Sequence, residues 1–245
     1  MGKLTPVLIG LALVVVSARA QPYVRAGSAA TAFEPDRQAW LHAGLGAGYS
    51  GESGDAYLEV RKARRAGAWD TRVLGDLYKT LGTAGYGNLR ILLTPSAAVH
   101  PESDVAVGLY LNAGRGWEPS FQVRRMAFPG VTAIVLTAGS GRYVGSRFYR
   151  LLVNAARTDG PVSVSAMAAV RHYSSDADYL EFIATAGREV TELAGDLRVT
   201  GQSSLGVQLN TGLAGATRIQ PVLVLGRDGI LGTHVTAGLQ IQAGG

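Results

Sequence analysis

The sequence has 245 residues, 33 of them Gly and none Cys, with 47% hydrophobic and 17% charged side chains. That length suits one domain or two, and the lack of Cys excludes a disulfide framework, a thiolate zinc centre and a Cys nucleophile. The formal net charge is +5, and setting aside Lys3 and Arg19 in positions 1–20 leaves 21 basic residues against 18 acidic ones; with no basic run or interleaved aromatics to track phosphates, a dedicated nucleic-acid binder is excluded.

The amino terminus has the plan of an export signal. Lys3 supplies a positive start, Leu8 to Val16 form a compact apolar stretch, and Ala18-Arg19-Ala20 places small residues where a signal peptidase reads, so residues 1–20 are expected to be a signal peptide cleaved after Ala20. Pro6 and Arg19 keep the apolar run below the ~20 residues that a spanning helix needs. Residues 21–40 lack strong periodicity and read as a short periplasmic lead-in to a domain at 41–243.

From there the chain alternates with period two. Candidate strands run near 41–50, 55–64, 69–80, 86–94, 104–112, 118–127, 131–138, 144–156, 162–172, 178–188, 203–213, 217–226 and 233–242. Turn signals between them include Gly51-Glu52-Ser53-Gly54, Gly114-Arg115-Gly116, Pro129-Gly130, Gly139-Ser140-Gly141 and Asp228-Gly229. Residues 188–202 read as a longer loop with a brief helical excursion. In 205–213, Leu205, Val207, Leu209, Thr211 and Leu213 share one face, opposite Gly206, Gln208, Asn210 and Gly212. Val105, Val107, Leu109 and Leu111 oppose Ala106, Gly108, Tyr110 and Asn112 in the same way, and Val162 to Val170 oppose Ser163 to Arg171.

These strands could make a soluble sandwich or a closed membrane barrel. A sandwich needs charged outer faces, which 17% charge does not provide. A barrel needs Leu, Val, Ala and Ile facing lipid, with Gly, Ser, Gln, Asn and Arg inside, and the segments above fit that. The expected architecture is an all-β, antiparallel, up-and-down transmembrane barrel. Thirteen candidate strands is an odd number where single-chain bacterial barrels have an even one, so about 12 strands are expected, with 14 open and the miscount placed in residues 41–95. Aromatics at 7% leave the interface girdles sparse.

Three blocks carry wording of a known family: Arg124-Arg125-Met126-Ala127-Phe128, then Gly141-Arg142-Tyr143-Val144-Gly145-Ser146-Arg147-Phe148-Tyr149, and Arg171-His172-Tyr173-Ser174-Ser175-Asp176-Ala177-Asp178-Tyr179-Leu180. They resemble the YaiO family of outer-membrane β-barrel proteins. Ser146, Arg147 and Phe148 stand where that family usually has Asn-Tyr-Trp, and the chain ends Gln242-Ala243-Gly244-Gly245 where outer-membrane barrels commonly end in an aromatic. The resemblance implies a bacterial outer-membrane location, outer-membrane lipids and lipopolysaccharide as surroundings, and insertion by the barrel-assembly machinery. It implies no specific activity and no cofactor.

Two sets of side chains are candidates for chemistry. Same-face charges Tyr57, Glu59 and Arg61, with Arg90, Arg124, and the pair Arg171 and Glu181, would line a lumen; they either select solutes by charge or fill the interior as interlocked pairs. His172 and Ser174, two apart on a strand, with Glu181 on the returning strand, are similar to the His-x-Ser of outer-membrane acyl hydrolases of the lipid A deacylase and phospholipase type. A turn over Ser174 to Asp178 is the plainer reading of that second set, and also of Asp176 and Asp178 as Ca2+ ligands. His42, His100 and His234 lack ligand spacing and read as surface or interfacial residues, not metal ligands. Trp40, Trp69 and Trp117 lie near strand ends and read as interface anchors.

Overall fold

A computed structural model describes residues 21–34, 38–65, 67–158, 160, 162–193 and 196–244, with side chains placed for all of these except 189–193 and 196–198. Fourteen strands stand among the described residues: β1 Gln21–Phe33, β2 Trp40–Gly51, β3 Gly54–Arg65, β4 Ala68–Thr80, β5 Gly85–Leu93, β6 Ser103–Leu111, β7 Trp117–Phe128, β8 Val131–Val144, β9 Arg147–Arg157, β10 Ser163–Tyr173, β11 Tyr179–Leu193, β12 Asp196–Ala214, β13 Thr217–Asp228 and β14 Gly232–Gly244. Each pairs antiparallel with its sequence neighbours, and β1 pairs with β14, so the sheet closes on itself. Closure satisfies every strand edge, the condition for a sheet to cross hydrocarbon.

The thirteen candidate strands correspond to β2 through β14, and the strand missing from the even count is β1. Residues 21–33 are therefore wall, not lead-in: Tyr23 to Phe33 pair with Gly244 to His234, and Gln21 to Thr31 pair with Ser50 to Trp40. The miscount lay upstream of residues 41–95. β1 escaped notice because, past Val24, its outer face is Ala26, Ser28, Ala30 and Ala32, which alternate with too little hydrophobic contrast. Residues 188–193 and 196–202 likewise belong to the wall, since β11 and β12 pair from Leu193 and Asp196 downward. Gly139-Ser140-Gly141 is not a turn. It lies inside β8, whose hairpin closes at Gly145-Ser146. The inward faces of Gly139 and Gly141 are where Leu152 and Phe148 pack, and any Cβ there would collide with those side chains.

The period-two faces sort cleanly by side. Leu205 and Leu213 are each 66% exposed, and Phe121, Val107 and Leu136 are also open to the outside, while Ala106, Ser120, Ala133, Ser163 and Ser165 are buried on the inside. Greasy side chains thus cover the outer surface and small or polar ones enclose the lumen. A Gly stripe on β2, at Gly44, Gly46 and Gly48, gives the interior room for its larger neighbours. A Cβ on Gly46 would lie 2.6 Å from Tyr57 Oη, one on Gly48 2.6 Å from the Tyr23 ring, and one on Gly44 would meet the Glu59 carboxylate. Trp69 and Trp117 are exposed at opposite ends of the wall, whereas Trp40 turns inward, 4.6 Å from the Phe33 ring and under the Arg65 guanidinium.

Because Leu205 sits midway along β12 on the outer face, Leu205→Arg is expected to lower stability by about 2–4 kcal/mol in urea unfolding from lipid vesicles. An unchanged midpoint would reverse the assignment of sides.

Candidate functional site in the barrel lumen

The inward face of each strand follows from its outward one. Val105, Val107 and Leu109 look out, so Asp104, Ala106, Gly108 and Tyr110 look in. Leu89 and Ile91 outside put Asn88 and Arg90 inside. Charges on this inner face find partners on their own or a nearby strand. Arg61 Nε and Nη2 donate to Glu59 at 2.7 and 3.1 Å, and Tyr57 Oη donates to the same carboxylate at 3.2 Å. Arg171 and Glu181 are direct cross-strand partners joined by two bonds of 3.2 Å, and Arg171 also donates to Tyr173 Oη.

Arg90 and Arg124 do not join the Tyr57, Glu59 and Arg61 cluster. Arg90 donates to Asp76 at 2.8 and 3.2 Å, with Asn88 on the other Asp76 oxygen at 2.7 Å, and Arg124 grips Asp104 bidentately at 2.8 and 2.6 Å. Arg150 reaches Glu118 at 2.9 Å across Gly141, which presents no side chain between them. Asp76, Asp104, Glu118 and Arg150 were not singled out from the sequence, though the parity of the flanking Val and Leu residues marks each as inward.

Tyrosines crowd the lumen at the end where β1 begins and β14 finishes. Tyr86 and Tyr110 stack at 4.5 Å, Tyr78 tilts against Tyr86, and Arg171 lies 4.2 Å from the Tyr179 ring centroid. A cavity of about 800 Å³ opens there, between Asp55, Tyr78, Tyr86, Glu118 and Tyr143. The opposite, far end holds a chamber of about 520 Å³ lined by Arg65, Arg72, His100, Gln122, Arg124, Asn154 and Ser165. A third space, about 220 Å³, lies beside Arg25, His42 and Gln240.

One wall of the far chamber is set by a buried carboxylate. Asp70, 1% exposed on β4, accepts the backbone N–H groups of Ala98, Val99 and His100 at 2.8, 3.1 and 3.1 Å, and His100 Nδ1 lies 2.8 Å away. Strand β4 runs on beyond the last β5 partner, Val73 with Leu93, and the connection at 94–102 folds onto that free length. Burial holds the His100 imidazole below its usual pKa, although Asp70 pulls the other way. All three candidate interfacial histidines therefore border the lumen: His100 here, His42 beside the small cavity, and His234 5.7 Å from the Phe33 ring.

The acyl-hydrolase candidates are not brought together. His172 looks outward, with Nδ1 3.4 Å from Ser146 Oγ, while Ser174 Oγ donates to the Asp178 carbonyl in the turn. Glu181 faces the lumen and is taken by Arg171. A hydrolase triad needs these three in sequential contact. Residues 174–178 form a turn, in which the Ser174 and Ser175 amides donate to the Asp178 carbonyl. The Asp178 carboxylate accepts Arg218 Nη2 at 2.6 Å and the Gly212 amide at 3.1 Å. The Arg218 bond, seconded by that amide, holds the Asp178 carboxyl below the usual carboxylate range. Its contribution is thus present above the unfolded value and lost as pH falls through the lowered one. Hydrogen-exchange protection of the Gly212 amide, corrected for intrinsic rates, should hold down to pH of about 4 and fall below it. Loss already at pH 6 would show that this carboxylate does not tether the turn.

Comparison with known proteins agrees with this geometry. No curated protein matches the chain. Among solved structures it is similar to OpdQ of Pseudomonas aeruginosa, at 8% identity and a TM-score of 0.52, over 92% of this chain and 98% of that one. It is also similar to the outer membrane protein Omp33 of Acinetobacter baumannii, at 8% identity and a TM-score of 0.52, over 91% and 97%. At such identity these likenesses concern the fold. The model of the YaiO membrane beta barrel domain matches residues 21–191, most of the wall. The chain belongs to the YaiO family of outer-membrane β-barrels.

Proposed function

We propose that this barrel is a narrow, water-filled passage through the outer membrane for ions and small solutes. The observation that carries the reading is how the interior charges are paired. Glu59 with Arg61, Asp76 with Arg90, Asp104 with Arg124, Glu118 with Arg150 and Arg171 with Glu181 all lie along the wall, on one strand or on strands close together. None of these pairs bridges opposite walls. Long side chains paired along the wall do not reach across the bore. Here they line it and leave chambers at both ends. Paired guanidinium and carboxylate groups along a wet wall set a local field for passing ions.

The same reading includes the route to the membrane: a signal peptide at 1–20 removed after Ala20, insertion by the barrel-assembly machinery, and lipopolysaccharide among the surrounding lipids. The first 20 residues lie outside the described ones. Support comes from the family match starting at residue 21, where the sequence places the cleaved end.

Planar-bilayer recording of the purified chain is expected to give small, steady conductance steps. Arg171→Ala, which trims a long side chain from the wall, should enlarge them and change the preference between cations and anions. Silent membranes, from protein that still shows the heat-modifiable gel mobility of a folded barrel, would overturn the passage.

A further inference from the structure

Resting on that reading of the lumen as wet, we propose that the far chamber is a binding site for a small solute bearing two or more oxyanion groups, carboxylate or phosphate, with Arg72 as its anchor. Arg72 departs from the pairing rule of the interior. It faces the chamber on β4, and among the described residues it makes neither ion pair nor hydrogen bond; its Nε is shielded by neighbouring atoms and has no partner.

Its cross-strand neighbour is Arg61, directly opposite on β3 and on the same inner face. Like charges in that position repel and destabilise a sheet. The carboxylates within reach are already engaged: Asp70 by three amides and His100, Asp104 by both forks of Arg124, and Glu59 by Arg61. Positive charge therefore gathers here, and among the described residues no carboxylate is left to neutralise the last of it.

Arg124 borders the same chamber and spends Nε and Nη2 on Asp104, which leaves the donors of Nη1 for a guest. The facing wall offers neutral donors, with Asn154 bonded to Ser165 and approached by Thr137. Among the described residues the one acid on the lining is Asp228, taken up by Thr200 Oγ1 and by the amides of Ile230 and Leu231. Two planar, permanently charged forks over neutral hydroxyl and amide groups suit carboxylate and phosphate oxygens. A volume of about 520 Å³ admits a solute of that kind with part of its water.

Titration calorimetry on the full chain in detergent, at low salt, tests this with citrate and pyrophosphate as probes. Saturable binding of at least one is expected, weakened by added salt. Arg72→Gln should reduce affinity about tenfold or more, the worth of a charge-assisted bond, and Arg72→Lys should keep part of it. Arg125→Gln removes the same charge from the outer face and should leave affinity unchanged. Loss of the Arg61 repulsion makes Arg72→Gln at least as heat-stable as the parent, so weakened binding in a folded barrel counts for the site. No saturable heat from either probe at millimolar concentration, or parental affinity in Arg72→Gln, would overturn it. A chain that conducts yet binds neither probe loses the site and keeps the passage, and one that binds yet stays silent in bilayers does the reverse.

Discussion

Everything in this molecule follows from one demand of hydrocarbon, that no backbone N–H or C=O be left without a partner. A sheet meets it only by closing, and the seam that closes this one is the run of pairs between Tyr23 to Phe33 and Gly244 to His234. Without β1, β14 and β2 would each face lipid with a bare edge. The strand with the weakest hydrophobic signature is thus the one the whole cylinder needs.

Closure also dictates the interior. With fourteen strands, inner side chains must be small where neighbours are large, and polar where they meet water. The β2 glycines give space to Tyr23, Tyr57 and Glu59, and the glycines of β8 give space to Phe148 and Leu152. Where large charged residues occur, they lie along the wall in pairs, so the cost of placing each ion in the lumen is offset by a partner close by in the sheet. The aromatics that the interface lacks are largely inside: Tyr57, Tyr78, Tyr86, Tyr110, Tyr173 and Tyr179 ring the lumen towards the start of β1, several of them against arginine.

How much of this was legible depended on contrast. Where Leu and Val alternate with Gly, Gln and Ser, as in 205–213 and 104–112, both the strand and its outward face were plain from the residues alone. The side of Glu59, Arg61, Arg90, Arg124, Arg171 and Glu181 followed from the same parity. What the sequence hid was of two kinds. The Ala and Ser face of β1 has too little amplitude to register, and the glycines of β8 looked like a turn because their role, yielding space to a neighbouring strand, exists only once the strands are side by side. Partner choice was equally invisible: Asp76 meets Arg90 and Asp104 meets Arg124 through inter-strand register, which no single segment encodes.

The Asp70 clasp bears on where this barrel tolerates grafting. A foreign peptide spliced at Pro129-Gly130, a short hairpin tip, would stand clear of the rim and leave the wall as it is. The same insert between Thr94 and Glu102 would have to dislodge three amides and an imidazole from a buried carboxylate. The longer of the two connections is thereby the less forgiving, and display of an epitope on this scaffold belongs on the short one.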